Sequence, residues 1–235
     1  MTLIFQRTGQ MGEPNRPTVL SYTIYHSPNA YLGVALVNRQ LAGLPVIHIR
    51  RPIYVPRARG VRVADLVGGK ESPARARYHR EDCARWAKRH AMPLHFIEPS
   101  EFEARAKRWA TSAYDREELP ARMFYAAEEL GRGAELDRAV FETAWVHGRD
   151  VNDEQALGGA AEAAGLDRNE LLRRALEPGP GNRLRDALGE FDSAECPGVP
   201  TFVFQGQRFW GKDRVGELLE VIETALNRQA VGPKG

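Results

Sequence analysis

The chain has 235 residues, 43% of them hydrophobic and 27% charged, ordinary globular values that exclude a disordered or fibrous protein. A chain of this length buries enough apolar surface to need neither a disulfide nor a metal staple. The 33 Lys and Arg against 31 Asp and Glu leave a net charge of +2, too small for a protein that wraps a polyphosphate, so no nucleic-acid partner is expected.

Residues 1–17 read as a flexible arm punctuated by Gly9, Gly12, Pro14 and Pro17. It lacks the apolar core of a signal peptide, and no stretch approaches the length of a membrane span. A cytoplasmic protein with no membrane partner is therefore expected. Thr18–Tyr25 is rich in β-branched and aromatic residues and predicts a strand. His26-Ser27-Pro28-Asn29 is a turn, with Pro28 placed to open a helix that runs through Ala30–Leu41 and stops at Gly43. Val46–Ile49 predicts a second strand, so the chain opens β-α-β.

Residues 52–75 carry Pro, Arg and Gly without periodicity and read as a long loop. Helical spacing then predicts helices at Arg77–Ala91, Glu101–Arg108, Asp115–Leu130, Ala134–His147, Asp153–Ala164 and Arg168–Leu176. Another follows the Pro178-Gly179-Pro180-Gly181 punctuation, from about Asn182 to Phe191. β character returns only at Thr201–Gln205 and Arg208–Trp210, joined by a turn at Gly206-Gln207. Lys212–Asn227 closes the chain as an amphipathic helix. The expected fold is therefore α/β: a β-α-β half (18–75) and a β-β-α half (180–228) interrupted by an all-helical insertion (76–179), with a tail at 229–235.

Cys83 and Cys196 form no CxxC pair and fall in separate regions, so two free thiols are expected. His79, Cys83 and His90 lie near one helix face but lack a fourth ligand in register, and no metal is expected. Gly68-Gly69-Lys70-Glu71 lacks the spacing of a phosphate loop. The basic run Arg50, Arg51, Arg57, Arg59 and Arg62 has too few interleaved aromatics for nucleic acid. It reads better as a cationic loop that holds a substrate carboxylate.

Three motifs carry a resemblance: Ser27-Pro28-Asn29-Ala30-Tyr31-Leu32 after the first strand, Gly198-Val199-Pro200-Thr201 before the third, and Phe209-Trp210-Gly211-Lys212-Asp213-Arg214 near the end. A weaker one is Gly68-Gly69-Lys70 with Pro73, Tyr78, Trp86 and Ala87. In this order they resemble the DsbA-like branch of the thioredoxin fold that holds the 2-hydroxychromene-2-carboxylate isomerases and the kappa-class glutathione transferases. Where thioredoxin-fold oxidoreductases carry a reactive cysteine pair, this chain has Ser27 and Ala30, so dithiol exchange is excluded at that position. A serine at a helix N-terminus can instead hold the thiolate of a bound glutathione.

The resemblance implies a cis Val199–Pro200 bond that presents the Val199 backbone to glutathione, with Lys212 and Asp213 at its γ-glutamyl end and Arg75 at its glycyl carboxylate. Asn29, Arg50 and Arg51 are the candidate substrate contacts, the two arginines from the basic run, and Trp109, Tyr114 and Phe124 are candidate pocket walls that at helical spacing are more often core. Lys212 departs from the family pattern, as does Gly69, where kappa-class enzymes have a glutathione-contacting Asn. His26 is either a second polar group of the site or a satisfied buried imidazole. Cys196 is either near the site or a small buried apolar residue. The implied activity is a glutathione-dependent isomerisation of an aromatic 2-oxo acid; a kappa-like glutathione transferase and a catalytically silent thioredoxin-fold binding protein are the alternatives. A homodimer is compatible with either enzyme.

Overall fold

The computed structural model describes residues 16–59 and 72–231. Four strands form one sheet in the order β2-β1-β3-β4: β1 (Thr18–Thr23), β2 (Ile47–Pro52), β3 (Thr201–Phe204) and β4 (Gln207–Trp210). β1 and β2 run parallel through the crossover helix α1 (Pro28–Leu41), while β3 pairs antiparallel with both β1 and β4. Between the two halves lie α2 (Pro73–Arg89), α3 (Pro99–Thr111), α4 (Glu118–Glu129), α5 (Gly133–Trp145), α6 (Glu154–Ala163), α7 (Arg168–Ala175) and α8 (Pro178–Ser193). A 3-10 turn, Lys212–Arg214, leads into α9 (Val215–Val231). The arm up to residue 15, Arg62, the Gly68-Gly69-Lys70 segment and the end of the tail lie outside the described residues.

The alternation of β1 assigns its two faces. Val19 joins the larger apolar cluster, which α1, α4, α5, α7 and α9 complete through residues such as Leu32, Met123, Leu136, Leu171 and Leu218. Tyr22 points the other way into a smaller cluster with Phe124, Tyr125, Leu184 and Phe191 from α4 and α8. Both faces of β1 are thus covered, as a strand parallel to its neighbour requires. The larger cluster runs without a break from the sheet into the helical segment.

Several boundaries differ from the sequence expectation, and three of them have a clear local reason. α8 starts at Pro178 rather than Asn182, because prolines in a first helical turn have no N–H that an intrahelical bond would need. α4 starts three residues late because Glu117, at φ +69°, sits in the left-handed region and cannot belong to the helix. The hairpin turns at Gln205-Gly206, both at positive φ, so Gln207 is already in β4.

Close approach at Gly33 docks the last segment against α1. A Cβ there would meet the Phe202 ring at 3.1 Å and the Lys212 Cα at 3.4 Å. Gly211, at φ +102°, makes the turn that carries the chain from β4 into that contact.

Candidate active site

Ser27 is the N-cap of α1, in extended conformation, and its Oγ accepts the Ala30 N–H at 3.1 Å. Because Oγ acts there as an acceptor, the Ser27 hydroxyl proton remains available to a ligand. β1 ends at Thr23, and the antiparallel register pairs Tyr22 with Thr201. The Val199–Pro200 bond, which is cis, therefore lies at the same end of the sheet as the start of α1. Gly211 N–H donates to Pro200 O at 2.9 Å, which ties the Lys212 turn to that end as well.

His26 immediately precedes Ser27 and belongs to a buried charge cluster. The fully buried Glu117 carboxylate accepts the Tyr25 N–H at 2.7 Å, the His26 N–H at 3.2 Å, and His26 Nδ1. His26 Nε2 lies 3.4 Å from Asp150 Oδ1. Asp150 also accepts the Trp109 indole N–H at 3.1 Å, and the Trp109 ring packs edge-on to the imidazole at 4.9 Å. Burial by itself would lower the pKa of His26. The Glu117 charge, with the contacts that the imidazole makes to the Asp150 and Glu117 carboxylates, outweighs it and raises the pKa. Burial likewise opposes ionisation of Glu117 and Asp150, but the imidazolium beside them holds both below the usual carboxylate range. The Glu117 N–H donates to Asn152 Oδ1 at 2.9 Å, which fixes the left-handed residue in place.

A cleft of about 820 Å³ opens beside this cluster. His26 and Pro28, which flank Ser27, form its edge at α1. α2, the 95–98 segment, α3 and the end of α5 form the rest, with Phe96, Phe102, Trp109 and Trp145 as aromatic walls. Arg77, Arg80, Arg105, Lys107, Arg116 and Arg149 also line it, against two acidic side chains, Glu98 and Glu103. The cleft is of ligand size and favours an anion.

The residues expected from sequence divide between this region and the core. Asn29 bonds His79 Nε2 at 3.1 Å and accepts from Cys83 Sγ at 3.3 Å, bridging α1 to α2. Burial pushes the Cys83 thiol up to about 11, so it is not a nucleophile at neutral pH. Cys83 and Cys196 are both free thiols. Asp213 is exposed at the start of the 3-10 turn. Arg75 is exposed on the first turn and a half of α2. Of the candidate pocket walls, Trp109 lines the cleft, whereas Phe124 is buried in the smaller core cluster and Tyr114 packs against the larger one.

Four expectations need correction. Arg50 does not face a substrate: it is 7% exposed, holds Asp137 through Nε at 2.9 Å and Nη2 at 3.0 Å, and donates to Ser21 Oγ and Thr23 Oγ1. The register explains this, because Arg50 pairs with Ser21 and shares its face of the sheet. Arg51 points to the opposite face and pairs with Glu190 of α8 at 3.3 Å, away from the cleft lining. Lys212 is buried, donates to Asp82 at 2.5 Å and lies 5.3 Å over the Trp86 ring, so its ammonium ties α2 to the last turn. The basic run is no continuous face either: Arg57 donates to the Ser112 and Tyr114 carbonyls, and Arg59 pairs with Asp192.

The DSBA-like thioredoxin domain matches residues 25–223 of this chain. The chain belongs to that family. Among curated proteins it is 26% identical to the 2-hydroxychromene-2-carboxylate isomerase of Sphingobium xenophagum, over 89% of this chain and 97% of that protein. Among solved structures it superposes on a 2-hydroxychromene-2-carboxylate isomerase with a TM-score of 0.70 at 21% identity, covering 93% of this chain and all of that one. The cytosolic disulfide reductase DsbM of Pseudomonas aeruginosa, solved with GSH, superposes at 0.56 and 17% identity, over 90% of this chain and all of that one. Within the DSBA-like thioredoxin domain, Ser27 and Ala30 occupy the first turn of α1, and no cysteine stands there. Sequence reading missed Glu117, Asp150 and Asn152, which reach His26 from 91 to 126 residues away. The one local signal was His26 itself, a titratable side chain between a buried strand and a helix cap.

Proposed function

We propose that the protein is a glutathione-dependent isomerase of an unsaturated aromatic 2-oxo acid. The observation that carries this reading is Ser27: a hydroxyl with a proton to donate, at the positive end of α1, between His26 and Pro28, which line an aromatic, cationic cleft. The relative at 26% identity and the structural neighbour solved with GSH support it.

The residues present fit a glutathione in part. The Ser27 hydroxyl and the α1 N-terminus suit a thiolate, the Val199 backbone suits an extended peptide, and the exposed Asp213 suits an α-ammonium. Lys212 is withdrawn from that set by Asp82. Glutathione, when bound, supplies a nucleophilic sulfur that adds to the unsaturated carbon and later leaves it. Ser27 donates its proton as a hydrogen bond to the sulfur and so favours the ionised form. The aromatic walls of the cleft hold the ring of the substrate, and its cationic lining stabilises the negative charge that moves onto the oxo acid portion during addition. Trp109, fixed by Asp150, keeps one wall in place.

The test is direct. Millimolar reduced glutathione should raise the thermal midpoint, since a ligand at 100 times its Kd stabilises the native state by about 2.7 kcal/mol. Turnover of an unsaturated aromatic 2-oxo acid, followed by absorbance, should require the thiol. In Ser27→Ala turnover should fall, and the loss should shrink as pH approaches the ordinary thiol pKa of about 8.5. No midpoint shift together with thiol-independent or absent turnover would remove the reading.

A further inference from the structure

Among the described residues, the cleft lining includes one buried guanidinium with unpaired N–H groups. Arg116 is 7% exposed, yet among the described residues its Nε and Nη1 have no hydrogen-bond partner. Its ion-pair contact is Glu117 at 3.8 Å, too long for a hydrogen bond. Glu117 is largely engaged elsewhere, since its two oxygens already accept two backbone N–H groups and the His26 ring. The guanidinium lies over Trp109, its Cζ 4.8 Å from the ring centroid, and both side chains line the cleft. Neighbouring arginines differ: Arg105 donates to Glu101 and the Gly148 carbonyl, and Arg80 to the Ile97 carbonyl.

A buried guanidinium without partners is expensive to maintain, and its planar fork matches a carboxylate. We propose that Arg116 is the receptor for the carboxylate of an aromatic acid whose ring lies against Trp109 and Phe102. This deepens, and for its substrate class rests on, the reading of the site as one for an aromatic 2-oxo acid. It moves the acid-binding role from Arg50 and Arg51, which the fold commits elsewhere, to the floor of the cleft. Glu117 and Asp150 then have a second effect, since their charges keep the cationic floor from repelling itself while the imidazolium is present.

Titration calorimetry of the full chain with trans-cinnamate, in the absence of glutathione, tests this. Wild type should bind cinnamate at least 10-fold more tightly than cinnamamide. Arg116→Gln should weaken cinnamate binding at least 10-fold and leave cinnamamide binding within 2-fold, while Arg51→Gln should change neither. The proposal is overturned if wild type does not distinguish acid from amide or does not bind cinnamate at millimolar concentration, or if Arg116→Gln binds cinnamate like wild type. Where Arg116→Gln fails to fold, Arg116→Lys takes its place: it keeps the charge but loses the planar fork, and it should still weaken cinnamate binding while leaving cinnamamide within 2-fold, with unchanged cinnamate binding overturning the proposal. Because glutathione is absent from every titration, failure of the thiol chemistry leaves these outcomes unchanged.

Discussion

At the sheet, the Arg50 guanidinium makes four hydrogen bonds, two to Asp137 and one each to Ser21 and Thr23. At the cleft, the equally buried Arg116 makes none among the described residues, although Glu117 stands 3.8 Å away. Tyr25 completes the first site by donating its hydroxyl to Asp137 at 3.1 Å, and Phe141 covers it. The two sites show how the same side chain serves opposite ends. A saturated guanidinium fixes β2 to α5 and leaves nothing for a ligand. An unsaturated one beside a cavity leaves donors that a ligand can complete.

Four substitutions would break or sharpen that contrast. Asp137→Ala leaves Arg50 uncompensated and removes the Tyr25 partner, so urea denaturation should show a loss of about 3–5 kcal/mol; a loss below 1 kcal/mol would put Arg50 and Arg116 in the same class. Glu117→Gln keeps an acceptor for one backbone N–H but removes the charge that His26 needs, and should destabilise by about 1.5–3 kcal/mol.

The pH profile of the same pair carries a sign. The His26 pKa is raised above its ordinary 6.5, so its contribution is complete below that value and disappears as pH rises through the folded pKa. Glu117 and Asp150 are held below their ordinary 4.5 and 3.8, so their contribution is present above those values and disappears as pH falls through the folded ones. Stability should therefore be greatest between pH 4.5 and 6.5 and decline on the alkaline side. Thermal melts of Glu117→Gln should show that alkaline decline reduced; an unchanged slope would mean that His26 is neutral in the fold.

Ser27→Ala removes a helix cap and should lower stability by about 1 kcal/mol, readable as a small fall in the denaturation midpoint. Arg116→Gln should alter stability least, by about 0.5 kcal/mol or less in either direction, because it removes a desolvated charge that has no hydrogen bonds to lose among the described residues. A destabilisation as large as that of Asp137→Ala would show Arg116 to be a structural member of the cluster.

Much of the fold was legible from local chemistry. Pro28 after Ser27 opens α1, the apolar spacing of Val215, Leu218 and Ile222 gives the closing helix its buried face, and the β-rich runs at 18–25 and 201–205 mark the central strands. Of the candidate site, the serine cap at the head of α1 and the wall residue Trp109 were legible, the cap because turn and cap residues announce themselves within a few positions. Arg50 and Arg51 show where that kind of reading stops. Adjacent residues in a strand point to opposite faces, and nothing within β2 says which face will meet Asp137 of α5 and which Glu190 of α8. Lys212 belongs with them, since only the docking of α2 beside the last turn brings Asp82 to its ammonium.

The amino-acid order thus specified the elements, their sequence along the chain and the serine at the head of α1, since periodicity and caps act over one or two turns. The partners of the buried charges came from folding alone. A carboxylate settles next to His26 or Arg50 because the sheet register and the packing of α4 and α5 bring Glu117 and Asp137 there. Hydrogen bonds made across about a hundred residues leave no pattern in the residues between them.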